Sequence, residues 1–141
     1  MTRYYEYRHT VGFEETNLVG NVYYANFVRW QGRCREMFLK DHAPDIVEML
    51  KDNFAIVTLH VSCDYFSELH AFDDVLIQMS LAEMVQNRIT MQFDYHKADG
   101  TLCAKGLQQI ACMKRVGDQL LVTEIPNSLR NVLQVYEGKA S

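Results

Sequence analysis

Proline is almost absent from this chain, with only Pro44 and Pro126 in 141 residues. There is no Pro- or Ser-rich linker, low-complexity tract or internal repeat, so the expectation is one domain over residues 1–141. No apolar run approaches the roughly 20 residues of a bilayer span. The opening stretch TRYYEYRH is charged where a signal peptide would be apolar. Positive charge is also scarce: 14 basic residues against 18 acidic give a net charge of −4, which argues against a nucleic-acid partner. The four cysteines, Cys34, Cys63, Cys103 and Cys112, form no CxxC or Cys/His cluster and read as reduced thiols of a cytoplasmic protein. None of the five histidines belongs to an HExxH or HxxxH pair. The seven glycines form no GxGxxG or GxxxxGK[ST] loop, and there is no GxSxG elbow. Neither a metal nor a cofactor is expected, and a serine-hydrolase mechanism is disfavoured.

What the chain does have is apolar bulk: 48% hydrophobic residues, with eight Tyr and seven Phe against one Trp. A chain of this size can bury a sizeable core without disulfides. Tyr5, Tyr7, His9, Val11 and Phe13 alternate with Glu6, Arg8, Thr10 and Gly12, the period of a half-buried strand. After the polar break EETNLVGN, where Thr16, Asn17 and Asn21 suit caps or turns, the period becomes helical from Val22 to about Lys40. There Tyr23, Phe27, Trp30, Cys34, Met37 and Phe38 share one face, and Arg29, Arg33, Glu36 and Lys40 the opposite one. Pro44 fits the start of a short second helix ending near Asn53. Four strands follow at about 54–66, 72–85, 87–97 and 101–116. ADGT at 98–101 reads as a type I′ hairpin, GDQ at 117–119 as a turn, and a last short helix starts at Pro126. One strand, one long helix and four consecutive antiparallel strands make an α+β pattern in which the sheet buries the helix.

The remaining chemical signal is the turn running into the long helix. A helix N-terminus offers unpaired N–H groups to an oxyanion or polarised carbonyl, and Gly20 permits close backbone approach. The competing reading is that Asn17 or Asn21 only caps the helix. VGFEETNLVGNVYYANFVRWQGRCREMF resembles the hotdog-fold thioesterases of the 4-hydroxybenzoyl-CoA thioesterase type. T-N-L-V-G-N-V matches their motif, with Asn17 where that family places its catalytic carboxylate. NVYYANFVRWQGRCREMFL, with HTVGFEETN and QIACM, is similar more narrowly to the thioesterases of enediyne polyketide biosynthesis. The resemblance implies a hotdog fold over nearly the whole chain. It also implies that Asn17 and Arg35 hold the thioester carbonyl and the attacking water.

An Asn carboxamide is neither base nor nucleophile near pH 7, so hydrolysis without a catalytic carboxylate must rest on positioning and oxyanion stabilisation. Backbone groups near Gly20, Asn21 and Val22, with Tyr24, are the expected oxyanion and substrate-binding elements. At 100° per residue Arg35 shares its phase with Tyr24, Val28 and Gln31, on the shoulder between core and solvent; a snorkelling or interface arginine fits that place as well. Glu14, Glu15 and Glu36 are the alternative bases. His9 and His60 read as satisfied core histidines, and His70 and His96 fall near strand ends. Cys34 reads as a buried, inert thiol, and Met79, Met84, Met91 and Met113 as core fillers that an acyl tunnel could also use. By resemblance, the substrate is a β-ketoacyl polyene thioester on the acyl-carrier-protein domain of an iterative enediyne polyketide synthase. The released acid loses carbon dioxide to give a methyl-ketone polyene, and the enzyme is a homotetramer, a dimer of dimers. The alternatives are a general acyl-CoA thioesterase, whose ordinary members carry Asp at the Asn17 position, and a non-catalytic acyl-binding module.

Overall fold

The computed structural model describes residues 3–138; residues 1–2 and 139–141 of the expected domain lie outside the described residues. Strand β1 (Tyr5–Thr10) is followed by a 3-10 turn (Phe13–Glu15) and the long helix α1 (Ala25–His42). Helix α2 (Pro44–Leu50) then leads into β2 (Phe54–Tyr65), β3 (Asp74–Val85), β4 (Arg88–Lys97) and β5 (Leu102–Val116), with a short β6 (Gln119–Val122) and α3 (Asn127–Gln134) closing the chain. The sheet is antiparallel in the order β1-β3-β4-β5-β2, with β6 paired to β5. Inward-facing rows such as Ile77–Tyr95 and Met79–Phe93 pair across β3 and β4 and are fully buried. Helix α1 lays Phe27, Trp30, Cys34, Phe38 and Leu39 on them, while Arg29, Arg33, Glu36 and Lys40 face solvent. A curled antiparallel sheet around one central helix is the hotdog fold, α+β as the alternation and its break require.

Five details depart from the sequence reading. The helix starts at Ala25, not Val22, because Val22 N–H is taken by Leu69 O at 2.8 Å and Val22 bridges Thr16. Tyr23 is therefore outside the helix and exposed, and neither Asn17 nor Asn21 caps it. Phe13, assigned to the buried side of β1, is exposed because the chain leaves the strand at Thr10 and turns. His60 is exposed rather than core. A bulge between Thr58 and His60 inserts Leu59 and turns His60 to the outer face. The 98–101 hairpin forms, closed by Lys97 N–H to Thr101 O and Gly100 N–H to Lys97 O, both 2.9 Å. Only Gly100 in that loop has positive φ (+90°), however, so the type I′ geometry, which needs two such residues, is not adopted. Beyond the 117–119 turn, β6 was not anticipated; Gln-Leu-Leu-Val has no alternation, and all four residues are exposed.

The thiols follow expectation. Burial pushes Cys34 up to about 12 and Cys103 and Cys112 up to about 11; half-buried Cys63 is also raised to about 11. We expect a native thiol titration at pH 8 to leave Cys34, Cys103 and Cys112 unmodified until denaturant is added. Rapid reaction of any of the three in native buffer would contradict their placement.

Candidate active site

The loop from Val11 to Tyr24 is held by one glutamate. Glu15 Oε1 accepts from Gly12 N–H at 2.8 Å and lies 2.7 Å from His9 Nε2, and Oε2 accepts from Trp30 Nε1–H at 2.7 Å. Its carbonyl takes Tyr23 N–H at 2.9 Å and the Asn26 amide at 2.8 Å. One residue thus ties the loop to β1 and α1. His9 is the satisfied, half-buried histidine expected, its ring 4.8 Å from that of Trp30. Burial alone would raise the Glu15 carboxyl, but the bonds from Gly12, His9 and Trp30 outweigh it and hold it below its ordinary value. With both oxygens occupied, Glu15 is not a base in waiting. Glu14 and Glu36 are exposed, and Glu36 faces Arg33 at 3.7 Å.

On this frame sits a tight turn. Asn17 N–H donates to Asn21 O and Gly20 N–H to Asn17 O, with Gly20 at φ +93°, a conformation costly for other residues. Asn17 Oδ1 accepts from Val19 N–H at 3.0 Å, and its amide NH2 has no partner among the described residues. The side chain that the resemblance singles out is therefore an exposed turn residue, oriented by its own loop. Of the three backbone N–H groups expected to meet a carbonyl, those of Gly20 and Val22 are already bonded; that of Asn21 has no acceptor among the described residues. A cavity of about 330 Å³ opens beside this turn, walled by Asn21, Val22, Tyr24 and Phe27 and by Tyr65 to Leu69. Asn21 Oδ1 is buried there without a donor among the described residues, and Tyr65 O–H donates to Tyr24 O at 2.9 Å. A larger concavity of about 630 Å³ lies on another face, along Arg8, Asp74, Leu76, His96 and Lys97, and contains none of the predicted site residues.

Arg35 lies between α1 and the sheet, half-buried, its Nη1 donating to Gln108 Oε1 at 2.7 Å. It has no carboxylate partner among the described residues, and desolvation lowers its pKa without removing its charge. Apolar side chains surround it: Phe38, Ile56, Met91, Ile110 and Leu133 border a crevice with only about 10 Å³ of free space. Of Met79, Met84, Met91 and Met113, Met79 and Met91 are core residues, and Met91 reaches this crevice. No hydrogen bond joins Asn17 to Arg35. Arg35 is ten residues along α1 from Ala25, about 15 Å at 1.5 Å per residue.

Sequence reasoning did not single out Gln31 and Gln108, which are buried in the same seam. A glutamine inside the apolar face of α1 and another in the inward row of β5 were the available signals. Gly106 faces Gln31: a Cβ there would overlap Gln31 Nε2 and come within 3.0 Å of Ser62 O. We therefore expect Gly106→Ala to destabilise the fold by about 1–3 kcal/mol in urea unfolding, through overpacking; wild-type stability would refute this contact.

Among the described residues no group of three or more His, Cys, Asp or Glu could hold a metal, and no helix is long and apolar enough to cross a membrane. Comparison with known proteins adds identity to this geometry. The dynemicin thioesterase, whose crystal structures reveal induced-fit and allosteric effects upon polyene binding, superposes with a TM-score of 0.95 at 45% identity, covering 98% of this chain and all of that one. A putative esterase of Aquifex aeolicus (strain VF5) is 27% identical over 129 residues, 91% of this chain and 96% of its own. A 1,4-dihydroxy-2-naphthoyl-CoA thioesterase from Synechocystis shares the fold at 18% identity with a TM-score of 0.82, covering 94% and 96% of the two chains. Residues 11–133, which carry the Glu15-anchored loop, the helix and the sheet around them, match the thioesterase-like superfamily, and the chain belongs to that family of hydrolases.

Proposed function

We propose that the protein hydrolyses a β-ketoacyl polyene thioester presented by the acyl-carrier-protein domain of an iterative enediyne polyketide synthase. The observation that carries this reading is the 45% identity to the dynemicin thioesterase over 98% of the chain, with Asn17 in the motif turn. In this reading water attacks the thioester carbonyl and gives up one proton to bulk solvent; the tetrahedral oxyanion forms against the Arg35 guanidinium and collapses to the free acid with loss of thiolate. Asn17 orients the water and carbonyl, and the Asn21 N–H together with Tyr24 and Val22 lines the entry. The β-keto acid then loses carbon dioxide through its own cyclic hydrogen bond, so no further residue is needed. Met91, Ile56 and Ile110 form an apolar wall beside Arg35 that must part to admit the chain.

Asn17 lies in the turn before α1 and Arg35 ten residues into it, a separation that fits a site completed by a second copy. Among the described residues, strand β2 leaves one edge unpaired over 12 residues, FAIVTLHVSCDY, without a Lys, Arg or Pro to guard it. Pairing of β2 with its copy across a two-fold axis gives a dimer, and two dimers give the cytoplasmic homotetramer.

The deciding experiment is multiple-turnover thiol release from a carrier-protein-bound β-ketoacyl chain, run beside the matching acyl-CoA, with sedimentation of the same sample. Turnover of the carrier-bound chain at the greater kcat/KM supports the proposal. Preference for acyl-CoA makes this a general acyl-CoA thioesterase. Stoichiometric binding with no thiol released makes it an acyl-binding module.

A further inference from the structure

Two atoms in the seam between α1 and the sheet lack partners, and they belong to neighbouring turns of the helix. Gln31 is fully buried, and Nε2 donates to Ser62 O at 3.0 Å. Exchanging its oxygen and nitrogen would set two acceptors face to face, so the amide orientation is fixed by chemistry. Oε1 then remains buried without a donor among the described residues. Four residues on, the Arg35 guanidinium is anchored by Nη1 to Gln108, and Nε–H is buried without an acceptor among the described residues. Side chains at i and i+4 share one helix face. Bare backbone at Gly106 gives the Gln31 amide its room.

These atoms define the missing group. It must donate to an amide oxygen and accept from a cationic N–H, which a carbonyl, carboxylate or ammonium cannot do alone. A hydroxyl does both. On the thioesterase reading above, we infer that Gln31 Oε1 and Arg35 Nε hold one hydroxyl oxygen in this seam. That oxygen is either an ordered water or the C3 hydroxyl of a β-ketoacyl chain in its enol form, in which the C2 proton has moved to O3. The side chains bordering the crevice beyond Arg35, among them Phe38, Ile56, Met91 and Ile110, are apolar, so this pair is the polar reading head beside it.

The test compares kcat/KM for β-ketoacyl and saturated acyl pantetheine thioesters of equal length, in wild type, Gln31→Met and Gln31→Glu. If the hydroxyl belongs to substrate, Gln31→Met lowers the β-keto to saturated ratio about ten-fold; if it is water, kcat falls about ten-fold on both. Gln31→Glu, when protonated, offers O–H to Ser62 O and a carbonyl to the hydroxyl, so its rate recovers toward acid on a limb that wild type lacks. A folded Gln31→Met with both rates within two-fold of wild type overturns the inference. If that variant does not fold, a Gln31→Glu profile parallel to wild type overturns it instead. Wild type inactive on both thioesters removes the thioesterase reading, and this inference with it; wild type active with unaffected variants removes this inference alone.

Discussion

Arg35→Leu lowers kcat for thioester hydrolysis by about 10²–10³, the range for loss of one oxyanion-stabilising donor, with little change in KM. Arg35 is half-buried beside neutral Gln108, and its neighbour in sequence, Glu36, faces solvent. An arginine kept for stability would have a carboxylate; one kept for a developing oxyanion must not, because a resident anion would cancel the field offered to the transition state. Stability should therefore move differently from activity. Removing a desolvated cation offsets the bond lost at Gln108, so unfolding free energy should fall by no more than about 1 kcal/mol. Arg35→Lys keeps the charge but has a single point of donation, and it recovers only part of the rate. Equal losses of rate and stability in Arg35→Leu would make this a packing residue. Asn17→Ala, an exposed turn residue, is the companion variant and should cost rate at unchanged stability.

Glu15→Gln destabilises the protein by about 2–3 kcal/mol at neutral pH, the scale of hydrogen bonds to a charged group. An amide keeps one acceptor oxygen where three donors converge, so Trp30 Nε1–H or the Gly12 and His9 pair must go unserved. The effect has a pH signature. The folded-state pKa of Glu15 lies below its ordinary 4.5, so its contribution is complete above that pH and is lost as pH falls through the folded value. The gap between wild type and Glu15→Gln, measured by urea unfolding from pH 7 to pH 3, should close toward acid. A constant gap would mean that the carboxylate charge is not what holds the loop.

The sequence made the sheet legible because Ile89, Met91, Phe93 and Tyr95 alternate cleanly and the burial they demand is the burial found. It misplaced the start of α1 because the bond that unwinds Val22 comes from Leu69, far along the chain, which no local period reports. His60 was assigned to the wrong face because a one-residue bulge reverses every side chain after it without changing composition. The site was less visible than the fold. Asn17 and Arg35 came from resemblance, and only Arg35's shoulder position had a periodic signal. Glu15 looked like one of several loop acids, since its value lies in Gly12, His9 and Trp30 converging on it. Gln31 and Gln108 were hidden because a pattern of apolar and polar positions says where a glutamine sits, not which of its atoms lacks a partner.

The order of strands also sets a schedule for biosynthesis. Helix α1 ends at His42, yet the strands that cover Phe27, Trp30 and Phe38 run on to Val116. β1, made first, pairs with β3, whose partner β4 follows it. At about 5–20 residues per second, translation from Ala43 to Val116 takes on the order of 4–15 s. During that interval the longest helix of the protein has only part of its sheet to lie on. A nascent chain stalled near Asn87 should therefore hold α1 open to a trigger-type chaperone, and one released past Val116 should not.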